Sequence, residues 1–391
     1  MVKVTLRRGR AKPLWFGHPW IYSEAIARID GDALPGAEVA VYDHEGRFVA
    51  RGLLSPGSQI RVRLLSWRDE PLDEALLARR VRDAVVLRRR LGLPSASTDA
   101  FRLINSEGDG LPGLIVDAYA EALVVQFGTV GMWQRREALL AALRDAVQPR
   151  TIFGVSQGYS DVEGFAMEPQ VLWSHGEPKE SITCRENGLV FSLSPLTAQK
   201  TGLYLDQREN RIRVASLCAE AKVLDCYTYH GGFALAALRA GASHAVAVDI
   251  SPRALEQAQA NATSNGLGPL ETVESDAFRF LEAAPPRAFD VCIVDPPKFA
   301  RVRKDLDAAL KGYRRLNALA LATVREGGLL FTCSCSQHVT LELFERALAG
   351  AAMDAKRAIQ VLEVRGAGPD HPVPPAFPEG RYLTGLLLRV Q

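Results

Sequence analysis

The sequence predicts an α/β protein in which a doubly wound parallel sheet is preceded by a small β-barrel and an α+β middle domain. Three observations carry that prediction. The chain has 391 residues, too many for one ordinary core. Its texture changes near residues 70 and 190. From about residue 220 onward, apolar strand-like runs alternate with helical ones, the pattern of a doubly wound sheet. The expected domains are therefore 1–70, 71–190 and 191–391.

The first seventy residues hold short runs, KVTL, AEVAVYD, RFVARGLL and QIRVRLLSW, punctuated by Gly36, Gly46, Gly52 and Gly57. Such punctuation suits a small barrel or meander. Between these runs, WFGHPWIYSEAI crowds Trp15, Phe16, His18, Trp20 and Tyr22 together. Interleaved with Arg7, Arg8, Arg10 and Lys12, these aromatics fit a surface that stacks bases and holds phosphates. They fit the core of a small β-domain equally well, and most of the five are expected there.

From Pro71 to Leu93 the pattern is helical: Leu72, Leu76, Leu77, Val81, Val85 and Leu91 line one face. Arg79, Arg80, Arg82 and Arg88 to Arg90 fill the other. Two strand-like runs, FRLINSEGDGLPGLIVDAY and ALVVQFG, precede the helix WQRREALLAALRDAV, and TIFGVS opens further strands. That β-β-α-β-β order reads as a small α+β domain.

The wound region carries the chemistry. In open parallel sheets, ligands sit at the carboxyl ends of strands where the winding reverses. The first strand there ends in DCYTYHGG, residues 225–232, where Gly231 and Gly232 permit a tight turn. It lacks G-x-G-x-x-G, which disfavours a nicotinamide dinucleotide. The next strand ends at Asp249, placed to bond a ribose diol, and the third at Asp276, placed to accept from an adenine amino group. Each acid alone is more often a helix cap. At three successive strand ends they describe S-adenosylmethionine better than a dinucleotide. The fourth strand ends in Asp295-Pro296-Pro297-Lys298-Phe299. Its prolines stiffen the turn, and Asp295 can bond the amino and ring-nitrogen edge of a base. A rigid loop with Asp295 as a cap is the plainer alternative.

All six cysteines lie at or beyond residue 184: Cys184, Cys218, Cys226, Cys292, Cys333 and Cys335. No C-x-x-C pair occurs, and C-S-C is poor spacing for zinc, so no metal site is expected. Strand alternation puts Cys333 and Cys335 on one side, with Cys335 nearer the ligand end. Carbon 5 of cytosine is too weak a nucleophile to take a sulfonium methyl unaided. A thiolate added at carbon 6 makes it enamine-like. Cys335 is the expected nucleophile, and buried Cys226 and Cys292 are inert packing.

Hydrophobic residues make up 47% of the chain and charged ones 24%, and charges interrupt every apolar run. No membrane span is expected, and the front end shows no apolar signal core; a cytoplasmic protein is the expectation. Net charge is +2, but residues 1–90 hold 17 Lys and Arg against 11 Asp and Glu. A basic front end fits either contact with a polyanion or a solvated surface.

Taken together, FGHPWIYSEAI, LINSEGDGLPGLIVD, KTGLYLDQREN, VLDCYTYHGGFAL, VDPPKF, SCS (334–336) and DHPVPPAFPEGRYL resemble the bacterial 23S ribosomal RNA 5-methylcytosine methyltransferases of the PUA-domain type. The resemblance spans essentially the whole chain. It implies a PUA barrel that binds RNA, an α+β middle domain and a Rossmann-like methyltransferase domain. It implies S-adenosylmethionine held around Asp225, Tyr227, Gly231, Gly232, Asp249, Ser251, Asp276 and Asp295. Gln207 and Arg208 of KTGLYLDQREN, with Tyr204 and Asp206, would cover the methionine end. The catalytic residues are Cys335 and Asp295. RNA contacts fall to Arg7, Arg8, Arg10, Lys12, His18 and Lys298, the substrate being 23S ribosomal RNA, naked or in the large subunit, and the enzyme a possible homodimer. Rival readings are a guanine N-methyltransferase of the same architecture, which needs no thiol, and a non-catalytic RNA-binding assembly factor. A nicotinamide-dependent oxidoreductase ranks behind both.

Overall fold

The computed structural model describes residues 2–155, 160–300 and 302–391. Contacts divide the chain into two compact units. One comprises residues 1–185, 193–205 and 369–380; the other comprises 186–192, 206–368 and 381–391. The boundary expected at residue 70 thus lies inside the first unit. Residues 193–205 and 369–380, assigned above to the third domain, pack with the first unit.

The first unit begins with β1 (Val2–Leu6), α1 (Lys12–Trp15), β2 (Trp20–Tyr22), β3 (Ile26–Asp30), β4 (Glu38–Tyr42), β5 (Phe48–Leu54) and β6 (Ile60–Ser66). The strands form one sheet in the order β2-β6-β5-β4-β1-β3, with β1 parallel to β4. All four antiparallel pairs contain a register shift. Each extra residue bends its strand and increases its twist, so the sheet curls over Val4, Leu6, Val39, Val41, Val62 and Leu64.

Next come α2 (Glu74–Arg90), β7 (Ala100–Asn105), β8 (Leu114–Tyr119), β9 (Ala122–Phe127), α3 (Val130–Gln134), α4 (Arg136–Val147), β10 (Thr151–Val155), α5 (Ser160–Glu163) and β11 (Gln170–Ser174). Three strands, not two, precede the helices. Gly110 (φ 69°) and Gly113 (φ 88°) turn the chain between β7 and β8, splitting the first expected run. The five strands pair in the order β11-β10-β9-β8-β7. Helix α2 starts where Asp73 accepts the amide of Leu76 at 2.9 Å, and buries Leu76, Leu77, Val81 and Val85 as the spacing predicts, with Ala84 beside them; Leu91, expected on that face, caps the helix and is exposed. Arg88 departs from expectation. It continues that apolar stripe at i+3 from Val85 and is 1% exposed. Its guanidinium meets both oxygens of Asp109 (2.5 and 2.8 Å) and donates to the carbonyls of Arg102 and Asp370, each at 2.8 Å. Sequence spacing places a side chain on a face; only the fold supplies a buried carboxylate to meet it.

A hairpin, β12 (Ile182–Glu186) with β13 (Leu189–Leu193), follows. The second unit then contains α6 (Arg208–Ala215), β14 (Lys222–Cys226), α7 (Gly232–Arg239), β15 (His244–Asp249), α8 (Pro252–Ser264), β16 (Leu270–Glu274), α9 (Ala277–Ala283), β17 (Phe289–Val294), α10 (Leu306–Thr323), β18 (Val324–Ser334), α11 (Leu341–Ala355), β19 (Ile359–Arg365) and β20 (Thr384–Val390). The sheet order is β16-β15-β14-β17-β18-β20-β19. Five strands are parallel, as expected, but β20 runs antiparallel to β18 and β19 antiparallel to β20. The sheet is therefore mixed. The two late strands escaped notice because β19 leaves Val361, Leu362 and Val364 exposed, so no alternating pattern marks it.

Alternation sorts the central strands between two cores. Leu224, Cys226, Cys292 and Val294 join Tyr313, Leu316 and Phe344 on one face. Val223, Val291, Ile293, Phe331 and Cys333 join Val214, Phe233 and Ala237 on the other. Winding reverses between β14 and β17, which puts the crevice at the carboxyl ends of those two strands. Among the described residues, no helix is long and apolar enough to cross a membrane.

Arg88→Ala strands the Asp109 carboxylate, so it should lower the unfolding free energy by about 3–5 kcal/mol. Denaturant titration, with midpoint and slope read together, checks this.

Candidate active site

Everything at the reversal point begins with the turn after β14. Tyr227 (φ 63°), Tyr229 (φ 52°) and Gly231 (φ 83°) are left-handed there, a conformation side-chain-bearing residues resist. Two carboxylates hold it. Oδ2 of buried Asp225 accepts from the Thr228 hydroxyl (2.6 Å) and from the Ala234 amide in the first turn of α7 (3.0 Å). Oδ2 of Asp249 accepts from the Tyr229 amide (2.9 Å), while its Oδ1 accepts from the Ser251 amide (2.9 Å). Asp225 is thus engaged in the turn itself. Burial pushes its carboxyl up to about 6 despite those donors.

The glycines have separate reasons. Gly231 supplies the left-handed residue before α7. A Cβ at Gly232 would lie 2.5 Å from Nε of Arg211, so Gly232 leaves room for a buried guanidinium. Arg211 was missing from the sequence reading. It sits on α6 three residues after Arg208, hence near the same face, and its Nη1 contacts both oxygens of Glu186 at 2.7 and 2.9 Å. Its neighbour Arg208, expected over the methionine end, is buried with Nε 3.2 Å from Glu209.

Ser251 and Asp276 are helix caps as well as candidate ligands. Oγ of Ser251 accepts from the Ala254 amide (3.3 Å) at α8, and Oδ1 of Asp276 accepts from the Arg279 amide (3.1 Å) at α9. Asp249 spends one lone pair per oxygen on backbone amides, leaving a second on each for a diol. The turn with two glycines, the doubly anchored Asp249 and Asp276 one strand further out together fit an adenosine-bearing cofactor.

At the end of β17, the Gln207 side chain donates to Asp295. The other Gln207 amide contacts are Nε2 to Sγ of Cys333 (3.3 Å) and Oε1 from Asn210 (2.6 Å). Burial, then the charge of nearby Asp206, push the Asp295 carboxyl up to about 7, against the Gln207 bond and the pull of Arg211. Asp206 accepts from the Tyr382 hydroxyl at 2.6 Å.

Strand β18 decides which thiol faces the crevice. Cys333 is fully buried, and burial followed by the charge of Asp295 drives its thiol far up. Cys335, one residue past the strand end, is half-buried, with Sγ 3.8 Å from the Pro296 carbonyl. Ser334 and Ser336 point the other way. Ser334 Oγ donates to the Tyr313 hydroxyl (3.0 Å), which lies 3.2 Å from Ser336 Oγ; that oxygen accepts the Ala300 amide at 3.2 Å. A knot of three buried hydroxyls thus ties both flanks of Cys335 to α10 and to the loop after Pro297. No motif spacing could have announced Tyr313, which comes from mid-helix. Phe299 packs between Tyr313 (4.7 Å between centroids) and Phe278 (6.4 Å).

The expected RNA-contacting residues divide. Arg8, Arg10, Lys12 and Lys298 are exposed; Arg7 is exposed while its Nε donates to the Ile26 carbonyl at 3.1 Å. Trp15 and Phe16 stand out at 55% and 73% exposure. His18 is committed elsewhere. Its Nε2 lies 3.3 Å from Glu379, Nδ1 receives the Trp20 amide at 3.2 Å, and its ring edges onto Phe377 at 5.8 Å. An imidazole engaged on every side is a packing residue, not an open phosphate contact.

Comparison with known proteins agrees with this geometry. A profile for S-adenosylmethionine-dependent methyltransferases matches residues 114–376, and one for PUA-like domains matches residues 4–67. Ribosomal RNA large subunit methyltransferase I of Aliivibrio fischeri is 39% identical, covering 100% of this chain and 99% of its own length. The Aeromonas salmonicida enzyme of the same name is 38% identical, covering 100% of both. A methyltransferase crystallised with SAH superposes with a TM-score of 0.87 over 100% of both chains at 22% identity, so it shares the fold. The chain belongs to the S-adenosylmethionine-dependent methyltransferases, in the family that includes ribosomal RNA large subunit methyltransferase I.

Tyr313→Phe removes the central hydroxyl while keeping the ring, and should cost about 1–3 kcal/mol of stability through the unpaired serines, measured by denaturant unfolding. Asp225 and Asp295 hold protons in the folded chain at pH values where the unfolded chain has lost them. Their contribution to stability therefore falls as pH rises from 3.8 through about 7. Asp295→Asn should flatten the upper part of that decline, read from melting temperature across pH.

Proposed function

We propose that this protein methylates carbon 5 of a cytosine in 23S ribosomal RNA through a covalent adduct with Cys335. One observation carries the reading: the half-buried Cys335 thiol lies against the Pro296 carbonyl of the Asp-Pro-Pro turn while Cys333 is sealed in the core. The names of the full-length relatives supply the substrate class.

The residues act in order. The Cys335 thiolate adds to carbon 6, and the ring electrons move toward the base's nitrogen edge. Asp295, titrating near neutrality, supplies a proton to ring nitrogen 3 and leaves carbon 5 enamine-like. When bound, S-adenosylmethionine supplies an electrophilic sulfonium methyl. Asp249 holds its ribose, Asp276 its adenine, and the turn from Asp225 through Tyr227 to Gly231 and Gly232 its methionine side, with Gln207 and Arg208 over that end. After methyl transfer, nitrogen 3 returns its proton to Asp295. A base then removes the carbon-5 proton, the 5,6 double bond re-forms, and the Cys335 thiolate leaves. Such an RNA substrate places the reaction in the cytoplasm, with Arg7, Arg8, Arg10 and Lys12 on the barrel and Lys298 at the rim as phosphate contacts.

A guanine N-methyltransferase of this architecture would need no thiol, which separates the readings. Cys335→Ala should abolish turnover while leaving the dissociation constant for S-adenosylmethionine within about two-fold, since the thiol meets the base rather than the cofactor. Full activity in that variant would move the chemistry to nitrogen. Mass spectrometry of ribosomal RNA from a strain lacking the protein should show one 5-methylcytosine missing from 23S RNA, restored by the wild-type gene and not by the variant.

A further inference from the structure

Charge in the second unit is concentrated at the rim of the site. Residues 297–315 contain seven Lys and Arg against two Asp and Glu, whereas the rest of 206–391 contains fifteen against nineteen. Residues 297–315, which follow the Asp-Pro-Pro turn in sequence, thus carry a surplus of five positive charges, and the rest of the range is net acidic.

The surplus has an order. Lys304, in the turn leading into α10, and Ala308, Lys311 and Arg315 on the helix follow one another at spacings of four, three and four. That spacing places all four on one face, and all four are exposed. Ala308 leaves a smooth gap between the cations. Among the described residues, Lys298, Arg303, Lys304 and Lys311 make no ion pair, whereas the outward arginines at mid-helix do: Arg315 with Glu282 (2.6 Å) and Arg314 with Asp354 (2.6 Å). Lys298, Arg303, Lys304 and Lys311 are thus left for another partner, and Arg314 and Arg315 are neutralised internally. The 18-residue helix α10 also directs its positive end toward Lys304.

Packing ties this stripe to the thiol. Phe299, next to Lys298, is within 3.2 Å of where a Cβ on Gly312 would stand, next to Lys311. Tyr313 follows, and its hydroxyl is knotted to Ser334 and Ser336 on either side of Cys335. The row therefore runs past the residues that reach the thiol, spanning about 16 Å along the helix axis from Lys304 to Arg315.

We propose that Lys298, Arg303, Lys304 and Lys311 form an anion track that binds the phosphates of the RNA strand flanking the target nucleotide. The inference rests on the RNA-substrate reading above but not on the carbon-5 chemistry. A polyphosphate strand suits the track because its charge repeats along a line, as the cations do. A base drawn into the crevice also needs its own backbone held within a few ångströms of the rim. Barrel cations select and attract the RNA; the track holds the strand where the base must leave it.

The test neutralises three track residues at once, Arg303→Ala, Lys304→Ala and Lys311→Ala, in the full chain. A control variant removes exposed charges outside the track, Arg346→Ala with Lys356→Ala. Binding of protein-free 23S RNA is measured by filter retention over a series of salt concentrations, with S-adenosylmethionine affinity and melting temperature as checks on folding. The track variant should bind RNA about ten-fold or more weakly at physiological salt, and its plot of log affinity against log salt should be shallower by about 2. S-adenosylmethionine affinity should stay as in wild type. Wild-type affinity and slope in the track variant, or an equal loss in the control, would overturn the proposal. If wild type itself binds RNA without salt dependence, the RNA reading fails and the track with it. If 5-methylcytosine is not the product, only the carbon-5 chemistry fails and the binding result stands.

Discussion

The last two residues of strand β18 and the two that follow it, Cys333 to Ser336, alternate their side chains between the two faces, and that alternation orders the site around them. Cys333 and Cys335 fall on the side of α6 and α7, and Ser334 and Ser336 on the side of α10. Because both serines are tied to Tyr313, the backbone between them cannot rotate without breaking buried hydrogen bonds in a low-dielectric setting. The thiol of Cys335 is therefore presented by a constraint acting from the opposite face of the sheet. The same knot reaches the Ala300 amide, so the loop following Asp295 is held to the same reference.

Electrostatics at the crevice work by opposition. Burial raises the proton affinity of Asp225 and Asp295, and the charges of Asp206 and Asp225 raise that of Asp295 further. The buried Arg211 offsets part of that cost, and Glu186 offsets the cost of burying Arg211. The arrangement leaves Asp295 poised near neutrality, where one carboxyl can both give and receive a proton. It also explains why Gly232 is small: the turn must leave space for the guanidinium that balances the acids. A glycine that looks like a ligand approach in the sequence is, in the fold, a place for a charge.

Charge also has a long-range arrangement. Residues 1–90 and 297–315 carry surpluses of positive charge, whereas the remainder of the second unit is net acidic. The paired cations Arg314 and Arg315, at mid-helix, anchor α10 to Asp354 and Glu282.

Periodicity and strand-end chemistry were legible before any coordinates. They predict a helix within 71–93, which forms over 74–90, the β-α alternation from residue 220, the acids at successive strand ends and Cys335 as the thiol nearer the carboxyl end of its strand. These follow from local rules, the repeats of 2 and 3.6 residues and the preference of ligands for strand ends, which need no partner from elsewhere in the chain. What the sequence could not settle were the pairings. Arg88 looked like a surface cation until Asp109 met it in the core; His18 looked open until Glu379 and Phe377 enclosed it. The antiparallel strands β19 and β20 lacked an alternating pattern because the first is an exposed edge and the second is buried on both faces. Tyr313, Arg211 and Glu186 carry no motif at all. Local repeat determines which face a side chain takes, while its charge state, exposure and partner depend on residues up to hundreds of positions away, and only the folded chain brings those together.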